Sequence, residues 1–360
     1  MWLKRLRLGT GLVLATYVVL HLSNHALGLL SLEAMEGMRR IVTRLWSHPL
    51  GLGLLYGAFL THYGLGLWSL YRRDHLRLRP WELAQLASGL LIPLLLLSHV
   101  FGTRMRDLLT GVHMNYPQVV TALWTNPWPG IRQVLALLIV WGHLLLGLHF
   151  WLRLKRRYRR SLPWLYPLAV LLPVLALLGF ARAGMTVQEL AATPGWIEEL
   201  YAPVRAISPQ DKARLDALES IALAVMVGAL VLVLLAREAR RRLRNRSGVF
   251  RLRYPSGKMV ESHVGATMLE AIRAAGLPHA AVCGGRGRCT TCRVRVGAGR
   301  EHLEPPNDTE ARALRRIGAP PGVRLACQVR PHRDVEITPL LLASAGPEAA
   351  WQPQDYQGRE

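Results

Sequence analysis

Six apolar runs occupy most of the first two thirds of the chain and limit it more than any other feature of the sequence. They cover residues 8–31, 50–71, 82–103, 131–152, 163–181 and 218–236. Each is close to or above the roughly 20 residues needed to cross a bilayer. Inside lipid, every backbone N–H and C=O must find its partner within the protein, so runs of this length are helices. The first run reads as a true span and not a cleaved leader. It is long, it holds His21, Asn24 and His25, and no small-x-small site follows it cleanly. Residues 33–48 read as a short amphipathic helix at the far surface. Residues 104–129 read as a polar loop whose Tyr116, Trp124 and Trp128 suit a membrane interface, and 182–217 as a mixed loop.

Charge sets the orientation. Hydrophobic residues make up 51% of the 360, yet the formal net charge is +22. A chain that is both apolar and strongly basic is expected in a membrane, with arginine-rich loops on one side. Nucleic acid is not the expected partner, because the arginines sit beside the apolar runs and not on one soluble face. With the N-terminus inside, segments 1–7, 72–79, 153–160 and 237–246 hold 19 Lys and Arg, against 10 in the longer segments 33–48, 103–132 and 182–217. This predicts six spans with both termini cytoplasmic.

The second feature is a set of four cysteines, all near the C-terminus. Cys283, Cys289 and Cys292 form C-x5-C-x2-C within CGGRGRCTTC, and Cys327 follows after 34 residues. Three thiols in one loop and a fourth at a distance suit a [2Fe–2S] cluster. Structural zinc prefers two close pairs, and a disulfide is disfavoured on the cytoplasmic side. Gly284, Gly285 and Gly287 let the loop wrap tightly and turn its amides toward sulfur.

Residues 248–340 resemble the [2Fe–2S] ferredoxin family, with one residue more in the first gap than the plant-type spacing. The resemblance implies that Cys283, Cys289, Cys292 and Cys327 are the ligands and that the fold is a β-grasp. The local pattern agrees with that fold. Residues 249–264 alternate about a Ser-Gly turn as a hairpin does. A helix is expected from Thr267 to Ala275, with Thr267 and Glu270 as a capping box. A strand at Arg293 to Val296, a helix at Asn307 to Leu314 and strands at 323–329 and 333–338 complete the set. The expected architecture is a multi-domain membrane protein: a six-helix all-α bundle over 1–240, a basic linker at 241–247, an α+β ferredoxin domain at 248–340, and a tail at 341–360.

Histidines supply the third feature. The first four spans hold His21, His25, His62, His99, His143 and His149, and the last two hold none. Ionisable side chains within a span mark a functional site by default. Histidines facing into a four-helix bundle suit b-type haem, with one axial ligand from each of two helices. Depth along the spans, at about 1.5 Å per residue, pairs His25 with His99 near the outer leaflet. It pairs His62 with His143 or His149 nearer the middle and the inner side. His21 is left over, either to support a ligand histidine or to line a quinone site. A proton relay is disfavoured, since Glu82 at an edge is the sole carboxylate of these four spans.

The membrane half resembles the di-haem cytochrome b anchors of succinate dehydrogenase and fumarate reductase. A closer likeness is to the N-terminal region of a group of bacterial class III adenylate cyclases. There a six-span di-haem-like anchor precedes a ferredoxin domain and then the cyclase domain. The stretches that carry it are HLSNHALGLLSLEAME (21–36), HVFGTR (99–104), WGHLLLGLHFWLRL (141–154) and CGGRGRCTTCRVRV (283–296). The resemblance implies a bacterial inner membrane, a quinone or quinol partner, a homodimer, and an output cyclase domain or partner chain beyond the tail. No cyclase domain is expected within the 360 residues, so the chain reads as a redox- or quinone-sensing regulatory module. The alternatives left open are a quinone-linked electron-transfer oxidoreductase and an anchor whose cofactors are structural.

Overall fold

The structure is a computed structural model that describes residues 2–73, 75–246 and 248–352. It divides into two compact units. The first comprises Met1–Leu70, Pro80–Leu148 and Ser161–Val233, the second Tyr71–Arg79, His149–Arg160 and Leu234–Glu360.

The helices, in chain order, are α1 (Trp2–Ala26), α2 (Leu32–Ser47), α3 (Pro49–Tyr71), α4 (Pro80–Val100), α5 (Arg106–Thr110), α6 (Tyr116–Thr125), α7 (Pro127–Leu152), α8 (Arg156–Ala191), α9 (Trp196–Arg205) and α10 (Pro209–Asn245). Six of them (α1, α3, α4, α7, α8 and α10) are long and apolar enough to cross a membrane, and they cover all or most of each of the six apolar runs. Most exceed those runs at one or both ends. Arg and Leu are good helix formers, so the basic flanks continue the helix. The segment expected as a linker at 241–247 is helical as far as Asn245.

The segments expected as loops at 104–129 and 182–217 hold α5, α6 and α9. A capping box starts α6: Gln118 N–H donates to Asn115 Oδ1 at 2.9 Å, and Asn115 N–H donates to Gln118 Oε1 at 2.9 Å. Its Tyr116 and Val120 are buried with Leu32, Met35, Ala183 and Val187. Gln118 Nε2 donates to the Leu200 carbonyl at 2.8 Å, and the Tyr201 hydroxyl to the Gln118 carbonyl at 2.6 Å, which joins α6 to α9. Ser31 caps α2, accepting from Ala34 N–H at 3.1 Å. A π-turn, Phe101–Met105, follows α4 two residues after His99.

In the second unit the sheet runs β2-β1-β5-β3-β4, from β1 (Val249–Arg253), β2 (Met259–His263), β3 (Arg293–Val296), β4 (Val323–Leu325) and β5 (Val335–Pro339). β1 and β5 are parallel; the other pairs are antiparallel. This mixed sheet packs against α11 (Met268–Ala274) around Phe250, Leu252, Met268, Ile272, Leu325 and Ile337. The expected capping box forms: Glu270 N–H donates to Thr267 Oγ1 at 3.1 Å and Thr267 N–H to Glu270 Oε2 at 2.8 Å. α12 (Asp308–Arg316) begins at Asn307, whose side chain accepts from Thr309 and Glu310 N–H. The strand expected over 323–329 stops at Leu325, where the chain turns to bring in Cys327. Of the expected tail at 341–360, residues 353–360 lie outside the described residues. The described part includes a 3-10 turn, Pro347–Ala349, and then Trp351, whose ring lies 4.1 Å from the Arg316 guanidinium.

Candidate functional site

The cysteine loop opens after α11 and returns the chain to β3. All four cysteines are buried and none is in a disulfide. Gly284, Gly285 and Gly287 have φ of 70°, 83° and 65°, the left-handed region that side chains avoid. At Gly287 a Cβ would also stand 2.7 Å from Thr309 Cγ2, so a larger residue there would have to displace that side chain.

Hydrogen-bond donors already face sulfur. Cys283 N–H donates to Cys289 Sγ at 3.2 Å, and Gln328 Nε2 donates to Cys327 Sγ at 3.2 Å. Thr291 Oγ1 lies 3.1 Å from Cys289 Sγ and accepts from Val282 N–H at 3.0 Å. The thiols associate as Cys283 with Cys289 and Cys292 with Cys327. The hydrogen bond from Cys289 holds the Cys283 thiol well below its ordinary value, and the same bond, with burial, pushes Cys289 up. The bond to Cys327 and full burial push Cys292 well up. Among the described residues, no three His, Cys, Asp or Glu side chains converge as ligands of a single ion. Two separate thiol pairs are the donor set that a two-iron cluster takes, two sulfurs to each iron. The residues therefore fit that group better than a closed four-thiolate zinc site.

Around this loop, Val282, Cys283, Cys289 and Ala350 form a small buried group with Leu154 and Trp351 against it. Thr291, Gln328 and Trp351 are site residues that the spacing of the cysteines does not reveal. A hydroxyl or amide beside a cysteine has no distinctive sequence signal until the loop is folded.

Residues 253–332 match the family described as 2Fe-2S iron-sulfur cluster binding domain. Ferredoxin CarAc of a Sphingomonas species is 39% identical over 75 residues, which are 20% of this chain and 69% of the relative. The chain belongs to the [2Fe–2S] ferredoxin family. The ferredoxin domain also aligns with two solved structures. An ISC-like [2Fe–2S] ferredoxin from Pseudomonas putida is 28% identical, covering 25% of this chain and 88% of that one, with a TM-score of 0.23. A ferredoxin from Rhodopseudomonas palustris is 24% identical, covering 25% and 93%, with a TM-score of 0.23. The chain thus combines a ferredoxin domain with a region of six membrane-spanning helices.

His21, His25, His62, His99 and His143 of the helical unit gather in two places. The rings of His62 and His143 have centroids 6.3 Å apart and planes at 82°. His21, His25 and His99 line an apolar cavity of about 140 Å³ together with Tyr17, Tyr116 and Phe180. There His21 lies 6.0 Å from His99 and 4.7 Å from His25, ring to ring, and His25 Nε2 is 3.2 Å from His21 Nε2. His149 belongs to the second unit, where its Nδ1 is 3.2 Å from the Tyr158 hydroxyl.

Proposed function

We propose that this chain is a membrane redox module in which the ferredoxin domain and b-type haems act together, sensing the state of a quinone pool. Cys283, Cys289, Cys292 and Cys327 would hold the cluster. His62 and His143 would hold an inner haem, and His99 with a histidine of α1 an outer one. When bound, these groups supply one-electron storage at two depths of the membrane and at its surface. The chain's own residues bury the cluster loop and point Cys283 N–H and Gln328 Nε2 at sulfur.

The observation that carries the haem reading is the 6.3 Å between the His62 and His143 rings. Two imidazoles on one metal stand about 6 Å apart at their centroids, since each metal–nitrogen bond is about 2 Å. The output would be a cyclase domain or partner chain reached through the tail, and the working form a homodimer.

The test is a dithionite-reduced minus air-oxidised absorption spectrum of the detergent-purified protein, with iron counted. Sharp b-type bands, with about two haems and about two non-haem irons per chain, are expected. Protein made with ample haem supply that holds iron and sulfide but no haem would refute the membrane half of the reading.

A second reading is a quinone-linked oxidoreductase, favoured by the family's character as electron carriers. Turnover separates the two. An oxidoreductase passes electrons steadily from a soluble donor to quinone, whereas a sensor is reduced once and holds that state.

A further inference from the structure

Two hydroxyls in the helical unit face the imidazoles of the closer pair. Thr10 Oγ1 on α1 lies 3.1 Å from His62 Nδ1 on α3. Ser88 Oγ on α4 lies 2.9 Å from His143 Nδ1 on α7. Each hydroxyl has a single proton, and a helix carbonyl one turn back already takes it. Thr10 Oγ1 donates to the Leu6 carbonyl at 2.8 Å, and Ser88 Oγ to the Ala84 carbonyl at 2.6 Å. Each oxygen is left able only to accept. With that proton donated to the carbonyl, the ring nitrogen opposite carries the hydrogen, which is the Nδ1–H tautomer for both histidines. The carbonyls of Arg7 and Gln85, acceptors only, lie within reach of the same two rings. A neutral imidazole has one N–H, so each Nε2 keeps a bare lone pair. Gln85 Nε2 lies 3.3 Å from His143 Nε2, a contact that a metal bound at that nitrogen would replace.

The residue after each hydroxyl is glycine. A Cβ at Gly11 would stand 3.1 Å from His62 Cε1, and one at Gly89 would stand 2.8 Å from His143 Cε1. The Cε1 corner of each ring points at the neighbouring helix, where a side chain would push it away. The same device thus occurs twice, on two different helices, against two histidines that face each other. A hydroxyl placed only to satisfy a buried ring would need neither the adjacent glycine nor the repetition.

We infer that Thr10 and Ser88 are positioning residues that hold His62 and His143 as Nδ1–H tautomers, so that each presents Nε2 to a shared metal. This rests on the reading of that pair as axial ligands. The physical effect is specific: an Nδ1–H donated to oxygen makes the imidazole a stronger donor and favours the oxidised metal.

The experiment uses the full chain in detergent with Ser88→Ala, Thr10→Ala and the swaps Ser88→Thr and Thr10→Ser. Haem content, the g-values of the low-spin ferric state and the midpoint potential are read for each. The alanine variants are expected to bind haem about 10-fold more weakly, with a raised midpoint and a shifted largest g-value, and the hydroxyl swaps to restore all three. Alanine variants with wild-type midpoint and g-values would overturn the proposal. So would losses that the hydroxyl swaps fail to recover, since shape and not the hydroxyl would then matter. The two alanine variants lie on different helices, so poor folding of one leaves the other to decide. His143→Ala isolates the underlying reading: unchanged haem content there would refute the axial pair and the positioning role together, whereas loss there beside a wild-type Ser88→Ala spectrum would refute the positioning role alone.

Discussion

Glu310 is fully buried, and its carboxylate has three partners: Arg324 Nε at 2.9 Å, Arg324 Nη2 at 3.0 Å and the Leu325 N–H at 2.7 Å. Removing one member of such a pair strands the other charge, at a cost of about 3–5 kcal/mol. Leu325 stands two residues before Cys327, so the loss falls on the strand that delivers the fourth thiol. Glu310→Ala is therefore expected to shed its cluster at a lower temperature than wild type, followed by visible circular dichroism during heating. A wild-type melting profile would count against a structural role for this pair. Cys327→Ser is expected to lower iron content severely, because it removes one of two sulfurs offered to one iron. At this scale the four cysteines were legible in the sequence, since their number and spacing admit few chemistries. Gln328 and Thr291 were not, because an amide or hydroxyl acquires its meaning from what the folded loop places opposite it.

Among the elements, α1 and α4 carry matching registers. Thr10-Gly11 and Ser88-Gly89 are 78 residues apart, and so are His21 and His99. Each helix thus places a histidine eleven residues beyond its hydroxyl, about three turns along and on one face. That register, with the 6.0 Å between the His21 and His99 rings, favours His21 over His25 as the partner of His99. If the proposed outer haem is bound there, His21→Ala is expected to remove its absorption band and His25→Ala to leave most of it. The reverse pattern would restore the pairing that depth along the span suggests. Depth picks His25 by a narrow margin, because His21 and His25 are one turn apart and differ by only about 6 Å along the axis. Sequence periodicity revealed the long spans, whose apolar runs need no partner to be recognised. It missed α6 and α9, short helices whose polar residues serve each other: Gln118 caps its own helix and also bonds to Leu200.

For the whole molecule, the distribution of arginine sets a testable topology. The ferredoxin domain is expected on the cytoplasmic side. Protease added to intact spheroplasts should leave it whole, and protease added to inverted vesicles should release it; the opposite result would invert all six spans. The junction between the two parts constrains how the cluster is used. α10 stays helical to Asn245 and β1 begins at Val249. The three intervening residues reach no more than about 10 Å when fully extended. A free ferredoxin works as a courier, diffusing between a donor and an acceptor that never meet. On so short a leash this one cannot leave the helix that carries it. Any soluble redox protein that serves it must travel to the membrane surface and dock there, so encounter frequency depends on the visitor's diffusion alone.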